Sequence, residues 1–188
     1  VFWNNQFGID ESERDVSVQN YLKGKNIEFE NFDEQVVFAP GSIVTGEGKP
    51  YSVFTPFKRR WIENFNLDLL DIEFEYTKKK TTKIKSNLHE FDFQFKKNNQ
   101  VDMSLWPAGE AEALSRLKTY LDKNIFRYAQ DRNDPIVDGT SRLSAYLASG
   151  IISPKRCILE ALKINNFELD AGEKGIIKWI DEIVWREF

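Results

Sequence analysis

Apolar and polar positions follow short, strand-like patterns at the start of the chain and settle into helical spacing toward its end. "VFWN" (residues 1–4) reads as a short buried strand. "DESERDVSVQNYLKGKN" predicts a helix, with Asp10 as its cap, Val16, Tyr21 and Leu22 facing inward, and Gly24 near its end. "IEFENF" alternates as a strand does, and "VVFAPG" reads as a second extended piece before Pro40 and Gly41. After a stretch rich in glycine and proline, "PFKRRWIENF" turns helical. Residues 66–107 carry no sustained period, although "HEFDFQF" within them alternates like an exposed strand. About forty such residues inside one domain would be unusual, so they read as an interdomain connection.

From Pro107 the spacing is helical. "PAGEAEALSRLKTYLDKN" places Ala111, Leu114, Leu117 and Leu121 on one face, with acidic residues in the first turn. "IFRYAQDRND" continues the pattern and stops before Pro135. Gly139 supplies a pivot, and Thr140 and Ser141 stand where a helix can begin; "TSRLSAYLASG" predicts a short helix closed by Gly150. "SPKRCILEAL" opens with a Ser-Pro helix start. "EKGIIKWIDEIVWREF" is a last amphipathic helix without a stop signal, so the chain is expected to end in mid-helix. Its aliphatic side carries Ile176, Ile177, Ile180, Ile183 and Val184. Trp179, Glu182 and Arg186 fall within about 60° of one another on the other side, with Trp185 beside them. The fold class expected is mainly α. Residues 1–35 form the tail of an α/β unit, 36–107 a connection, and 108–188 part of a helical domain.

Composition narrows the function. Hydrophobic residues at 41% and aromatics at 14% of 188 residues can supply a core. No apolar run approaches the roughly 18 residues of a membrane span, and "VFWNNQFG" lacks the pattern of a secretion signal. Cys157 is the only cysteine, which excludes an intrachain disulfide and points to a reducing compartment, the cytoplasm. His89 is the only histidine, so a zinc site of the common Cys/His type is excluded and no metal is expected; His89 itself reads as a surface or edge residue. A net charge of −4 gives no global basic footprint, so nucleic-acid contact would need a local patch. The lysines of "TKKKTTKIK" can touch a nucleic-acid backbone or form a solvated linker.

Three stretches can carry chemistry. In "DGTSRLSAYLASG", Thr140, Ser141 and Ser144 offer hydroxyls near a helix start, and Arg142 a planar fork suited to phosphate oxygens. The plain alternative is a helix cap, with Arg142 paired to an acid and Leu143 and Leu147 in the core. On the terminal helix, Trp179 and Trp185 can stack on flat ligands and Glu182 can accept hydrogen bonds from a base edge. Alternatively the indoles pack in a core and Glu182 pairs with Arg186. In "FRYAQDRND", Tyr128 and Arg132 share a face, where they can bind phosphate and a nucleic-acid backbone, or where Arg132 is simply a surface residue.

"RYAQDRNDPIVDGTSRLSAYLASGIISP" followed by "KWIDEIVWREF", with the earlier "YSVFTPFKRRW", resembles the DNA photolyase/cryptochrome family. Within it the chain is most similar to class I enzymes acting on cyclobutane pyrimidine dimers. The resemblance implies an α/β antenna domain before a helical FAD-binding domain, and light-driven repair in which reduced FAD passes an electron to the dimer, a carbon–carbon lyase reaction. By position it implies that Tyr128, Thr140, Ser141, Arg142, Leu143, Ser144 and Trp179 contact FAD. It implies that Arg132, Glu182, Trp185 and Arg186 face DNA, with Glu182 and Trp185 against the lesion. Glu11 matches a position that contacts an antenna folate, although Asp10 replaces the asparagine usual beside it; a deazaflavin antenna is the other possibility. Glu182 stands where enzymes of the (6-4) type resemble one another in having glutamine, and Trp185 where plant cryptochromes usually lack tryptophan. Asp181 stands where close bacterial relatives carry asparagine. The partner implied is UV-damaged DNA, with no membrane, and the protein a monomer. The resemblance also implies a longer protein, so the chain alone is expected to bind FAD weakly or not at all and to be inactive. The alternatives are a cryptochrome-type blue-light receptor and a cofactor-free helical DNA-binding or scaffold module.

Overall fold

Parallel strands cannot be joined by a tight turn, and the first third of the chain meets that requirement with a helical crossover. In a computed structural model of the protein, which describes residues 1–70, 102 and 104–188, strands β1 (Phe2–Asn4) and β2 (Glu30–Phe32) pair in parallel with Phe2 opposite Glu30. Helix α1 (Ile9–Gly24) joins them. The lysine run, "HEFDFQF" and His89 lie outside the described residues.

This unit departs from the sequence reading in three ways. β1 is not buried, since Phe2 is 73% exposed. Helix α1 begins before Asp10, its first bond running from Ser12 N–H to the Gly8 carbonyl at 2.9 Å. Asp10 therefore sits inside the first turn beside Glu11 and caps nothing. Of the apolar residues expected to face inward only Leu22 is buried; Val16 and Tyr21 are exposed. Two short strands offer little surface for a helix to cover. The enclosed face carries Asp15 instead, which accepts from Gln6 N–H at 3.3 Å and pairs with Arg14 at 2.8 Å.

"VVFAPG" forms no strand: Val36 and Val37 are buried, and the backbone there is bound by a side chain described below. Helix α2 (Phe54–Asn64) follows and buries Phe57 and Trp61, one turn apart. A 3-10 turn, Leu67–Leu70, buries Leu70. Helix α3 (Glu110–Lys123) begins with Glu110 and Glu112 in its first turn, as the spacing predicts. Its buried stripe is Ala113, Leu117, Tyr120 and Leu121, so Ala111 faces outward and Tyr120 inward. A 3-10 turn (Ile125–Arg127) leads into α4 (Tyr128–Asp131), and α5 (Ser144–Ala148), α6 (Pro154–Ile164) and α7 (Lys174–Val184) complete the chain. Ser153 caps α6 as predicted: its Oγ accepts from Lys155 N–H at 3.2 Å, with Pro154 at the first helical position. Gly150 closes α5 in the left-handed region, φ +69°.

One apolar cluster unites the helices. Val37, Ile43, Phe57, Trp61 and Leu70 pack in the same core as Leu117, Ile158, Leu162, Ile176 and Ile180. Residues of the stretch read as a connection thus help to build the helical layer. At Gly175 the backbones of α7 and the 125–127 turn touch; an added Cβ would lie 2.5 Å from the Phe126 carbonyl oxygen. That contact seats α7 against α4. The last helix ends at Val184 and tightens into a 3-10 turn, Trp185–Glu187, instead of running on to the final residue. Among the described residues no helix is long and apolar enough to cross a membrane, and no cluster of three His, Cys, Asp or Glu is placed to hold a metal.

Candidate functional site

Helices α4 and α7 bring four of the predicted residues together. Trp179 is buried, with its ring 5.5 Å from Tyr120, and Tyr120 in turn lies 6.3 Å from Tyr128. The Arg132 guanidinium stands 5.4 Å over the Tyr128 ring and pairs with the Glu182 carboxylate. That bond is the main reason the Arg132 pKa is raised, and burial pushes the Tyr128 phenol up. Arg132 is therefore not a free surface arginine. It joins the short α4 to α7 and holds one oxygen of Glu182 in place.

Arg186 does not share this cluster. Helical spacing put it on the Glu182 face, but the 3-10 turn after Val184 advances each residue by about 120° where an α-helix gives about 100°. Glu182 pairs with Arg132, not with Arg186. Arg186 lines a cleft of about 280 Å³ with Gln6, Gln35 and Glu11, the residue matched to an antenna contact. Trp185 is 44% exposed. One of its faces is stacked on Phe54, ring centroids 3.8 Å apart and planes at 13°. The Cys157 thiol is fully buried and pushed up to about 12 by that burial, so it is not poised as a nucleophile.

The 138–143 segment is a loop where the sequence reading has a helix start. Helix α5 begins only at Ser144, is five residues long, and has no side-chain cap, so Thr140 and Ser141 cap nothing. Arg142 adopts φ +51°, the left-handed region that non-glycine residues rarely take. It is held there by Asp138 at 2.9 Å and by Trp106, whose indole N–H donates to the Arg142 carbonyl at 3.1 Å. Gly139 is buried, and a Cβ on it would lie 2.5 Å from the Asp131 Cβ; the missing side chain lets the loop lie against α4. Thr140, Ser141 and Arg142 then line a cavity of about 280 Å³ facing α3, whose Ser115, Arg116 and Thr119 form the opposite wall. Leu143 packs into the core, which leaves only its backbone for a ligand, and Ser144 is exposed. The wall is rich in donors: Arg116 Nε and Tyr120 Oη are buried beside the cavity with no partner among the described residues. Two carboxylates, Glu112 and Asp138, line the same cavity, and Asp138 pairs with Arg142, so an anion such as a diphosphate would meet the hydroxyls and Arg116 most freely.

Comparison with known proteins supplies the rest. The family model described as DNA photolyase matches residues 1–74. The chain is 32% identical over its whole length to the deoxyribodipyrimidine photo-lyase of Escherichia coli, covering 39% of that protein. It is 34% identical to that of Neurospora crassa, covering 33%. Among solved structures, a bacterial class III photolyase from Agrobacterium tumefaciens superposes on all of the chain with a TM-score of 0.73 at 25% identity, and 39% of that structure is covered. The chain is similar to DNA photolyases along its whole length. It spans between a third and two fifths of the length of these photolyases.

Three residues of this chain escaped sequence reasoning. Tyr120 joins the aromatic cluster, and its position three residues after Leu117 on the helical stripe was the available signal. Lys58, inside "PFKRRW", pairs with Asp181 at 2.5 Å. Glu187, inside "WREF", binds the far side of the molecule. Its carboxylate accepts from Val37 N–H at 2.5 Å, Phe38 N–H at 3.3 Å and the Trp61 indole N–H at 2.6 Å. Burial raises the Glu187 pKa above the ordinary glutamate value, and those three bonds offset part of the rise. No pattern confined to "WREF" announces a bond to residues about 150 positions away.

Proposed function

We propose that the natural protein carrying this sequence repairs cyclobutane pyrimidine dimers in DNA, as a monomer, in the cytoplasm, with FAD as its cofactor. The observation that carries the reading is the Arg132–Glu182 pair beside buried Trp179 and exposed Trp185. It presents a held carboxylate and an indole where a base edge and a base face would meet them.

In this reading the loop grips the cofactor's phosphates through the Thr140 and Ser141 hydroxyls, the Arg142 fork and the Leu143 backbone, with Ser144 at the head of α5. Tyr128 and Trp179, which flank Tyr120 at that cavity's wall, would lie next to the rest of the cofactor. Reduced FAD held there would lend the dimer one electron and regain it once the ring has split, leaving no net change of oxidation state. Glu182 accepts hydrogen bonds from the flipped-out bases through the oxygen that Arg132 does not hold. Trp185 stacks on them, and a damaged step is cheaper to flip than an intact one. Arg132 and Arg186 lie along the DNA strand, and Glu11 borders a cleft fit for an antenna folate or deazaflavin. Residues 1–35 would close an α/β antenna domain and 108–188 open the FAD domain, with 36–107 between them.

Trp185→Ala tests the lesion side. The preference for a duplex with one thymine dimer over the undamaged duplex is expected to fall about tenfold, since stacking on one base contributes about 1–3 kcal/mol. Titration of both duplexes by fluorescence anisotropy measures it, and an unchanged preference contradicts the assignment.

A further inference from the structure

Phe54, Phe57 and Trp61 stand at positions i, i+3 and i+7 and share one face of α2. The 3-10 turn Trp185–Glu187, with Phe188 after it, lies along that face. The Trp61 indole N–H donates to Glu187 at 2.6 Å, the Phe57 ring is 5.3 Å from that of Phe188, and the Phe54 ring is stacked on Trp185 at 3.8 Å and 13°. Helix α2 thus grips the turn through Glu187 and, separately, holds its indole. Phe188 stands 5.4 Å from Trp185 and 5.8 Å from Phe54, at 82° and 70° to them. A ring nearly equidistant from both members of a stack lies at its flank. Phe188 therefore closes one side of the pair and leaves the outer face of the exposed indole uncovered. Phe54 is itself anchored, since it is partly buried against the core beside Phe57, which is 5% exposed. The proposed function gives α2 no task.

We infer that Phe54 is a positioning residue for Trp185: stacked on one face of the indole, it fixes the plane whose other face receives a damaged base. The inference rests on the lesion-facing role of Trp185. A side chain on a short surface turn loses rotational freedom when a ligand stacks on it, and that loss weakens binding. With the indole already ordered by Phe54, the loss falls on folding and not on binding. Parallel rings at this spacing attract each other beyond the area they bury. A flat residue is therefore required at position 54, and an aliphatic one of similar bulk does not replace it.

The test compares Phe54→Leu, which keeps apolar bulk without a plane, with Phe54→Tyr, which keeps the ring. Both are made in the natural protein carrying this sequence, with Trp185 intact and with Trp185→Ala. Binding to a duplex with one thymine cyclobutane dimer and to the same duplex undamaged is measured. Phe54→Leu is expected to lower the dimer preference about fivefold, the scale of ordering one side chain on binding, and Phe54→Tyr to stay within about twofold of wild type. On top of Trp185→Ala, Phe54→Leu is expected to cost nothing further, because residues in contact act together. A Phe54→Leu protein with full preference, a loss that persists without Trp185, or a Phe54→Tyr protein as poor as Phe54→Leu overturns the inference. Labelling with fluorotryptophan gives a readout that needs no DNA. The Trp185 fluorine resonance, identified by its loss in Trp185→Phe, is expected to be displaced from its urea-unfolded position by the ring current of Phe54. It should move back in Phe54→Leu and stay in Phe54→Tyr. If wild type shows no preference for the dimer, the proposed function fails instead. The resonance then judges the pair, and one unmoved by Phe54→Leu overturns the inference. If Phe54→Leu does not fold, the wild-type resonance decides: a displaced one supports the inference, and one at the unfolded position overturns it.

Discussion

Replacing Glu187 by alanine is expected to lower the unfolding free energy by about 3 kcal/mol, because buried donors left without acceptors cost about 1–3 kcal/mol each. Trp61 is fully buried and Val37 nearly so, and neither N–H has another acceptor among the described residues. The loss should be seen as a lower urea midpoint at an unchanged slope. A variant within about 0.5 kcal/mol of wild type, the range of ordinary surface substitutions, would show that the carboxylate holds nothing. The same residue carries a pH signature. Its folded pKa lies above the ordinary value of 4.5, chiefly through burial, so the fold binds its proton more tightly than the unfolded chain does. The contribution is complete below the unfolded value and is lost as pH rises through the folded one. Measured against Glu187→Gln, the stability of wild type should decline as pH rises above the ordinary glutamate value. A difference that grows with pH over that range would reverse the assignment.

Gly175→Ala is the second large effect. The new methyl would lie 2.5 Å from the Phe126 carbonyl oxygen and nearly as close to its carbon, at 2.6 Å. These are backbone atoms and cannot rotate aside, so α7 must move away from the 125–127 turn. Forced expansions of this kind cost about 3 kcal/mol. The displacement also separates Trp179 from Tyr120 and Glu182 from Arg132, so the near-ultraviolet dichroism of the tryptophans should change with stability. Gly46→Ala is the control. Nothing lies within 4 Å of its added Cβ, and it should stay within about 0.5 kcal/mol of wild type. Equal behaviour of the two variants would mean that α7 is not seated by that contact.

These residues also show what a sequence makes visible. Helices α2, α3, α6 and α7 were legible because each buries a stripe of about one residue in three or four, and Ser153-Pro154 is a local signal read by local rules. Helical spacing paired Tyr128 with Arg132 and Trp179 with Glu182, and the meeting of the two pairs is a tertiary fact, the packing of α4 against α7. The 138–143 loop was misread as a helix start because its course depends on two tertiary facts, the close approach of Gly139 to Asp131 and the left-handed Arg142 held by Asp138 and Trp106. Arg186 was misdirected by extending the helical period through a 3-10 turn, and Glu187 causes part of that error. Its bonds to Val37 and Trp61 anchor the turn, and they join positions too far apart in the chain for spacing to reveal. Val16 and Tyr21 were misassigned for the converse reason: periodicity shows that a helix has an apolar side and not whether anything covers it.

Repair of DNA under light is the activity proposed for this site. The most direct measurement follows a synthetic oligonucleotide with one thymine cyclobutane dimer, incubated with the natural protein carrying this sequence, flavin-loaded and chemically reduced. The dimer is counted by chromatography in the dark and under blue light. The account predicts that the dimer is converted to two thymines under light and is stable in the dark. A flavin-loaded protein that leaves the dimer intact under illumination would contradict it and favour a light-sensing role.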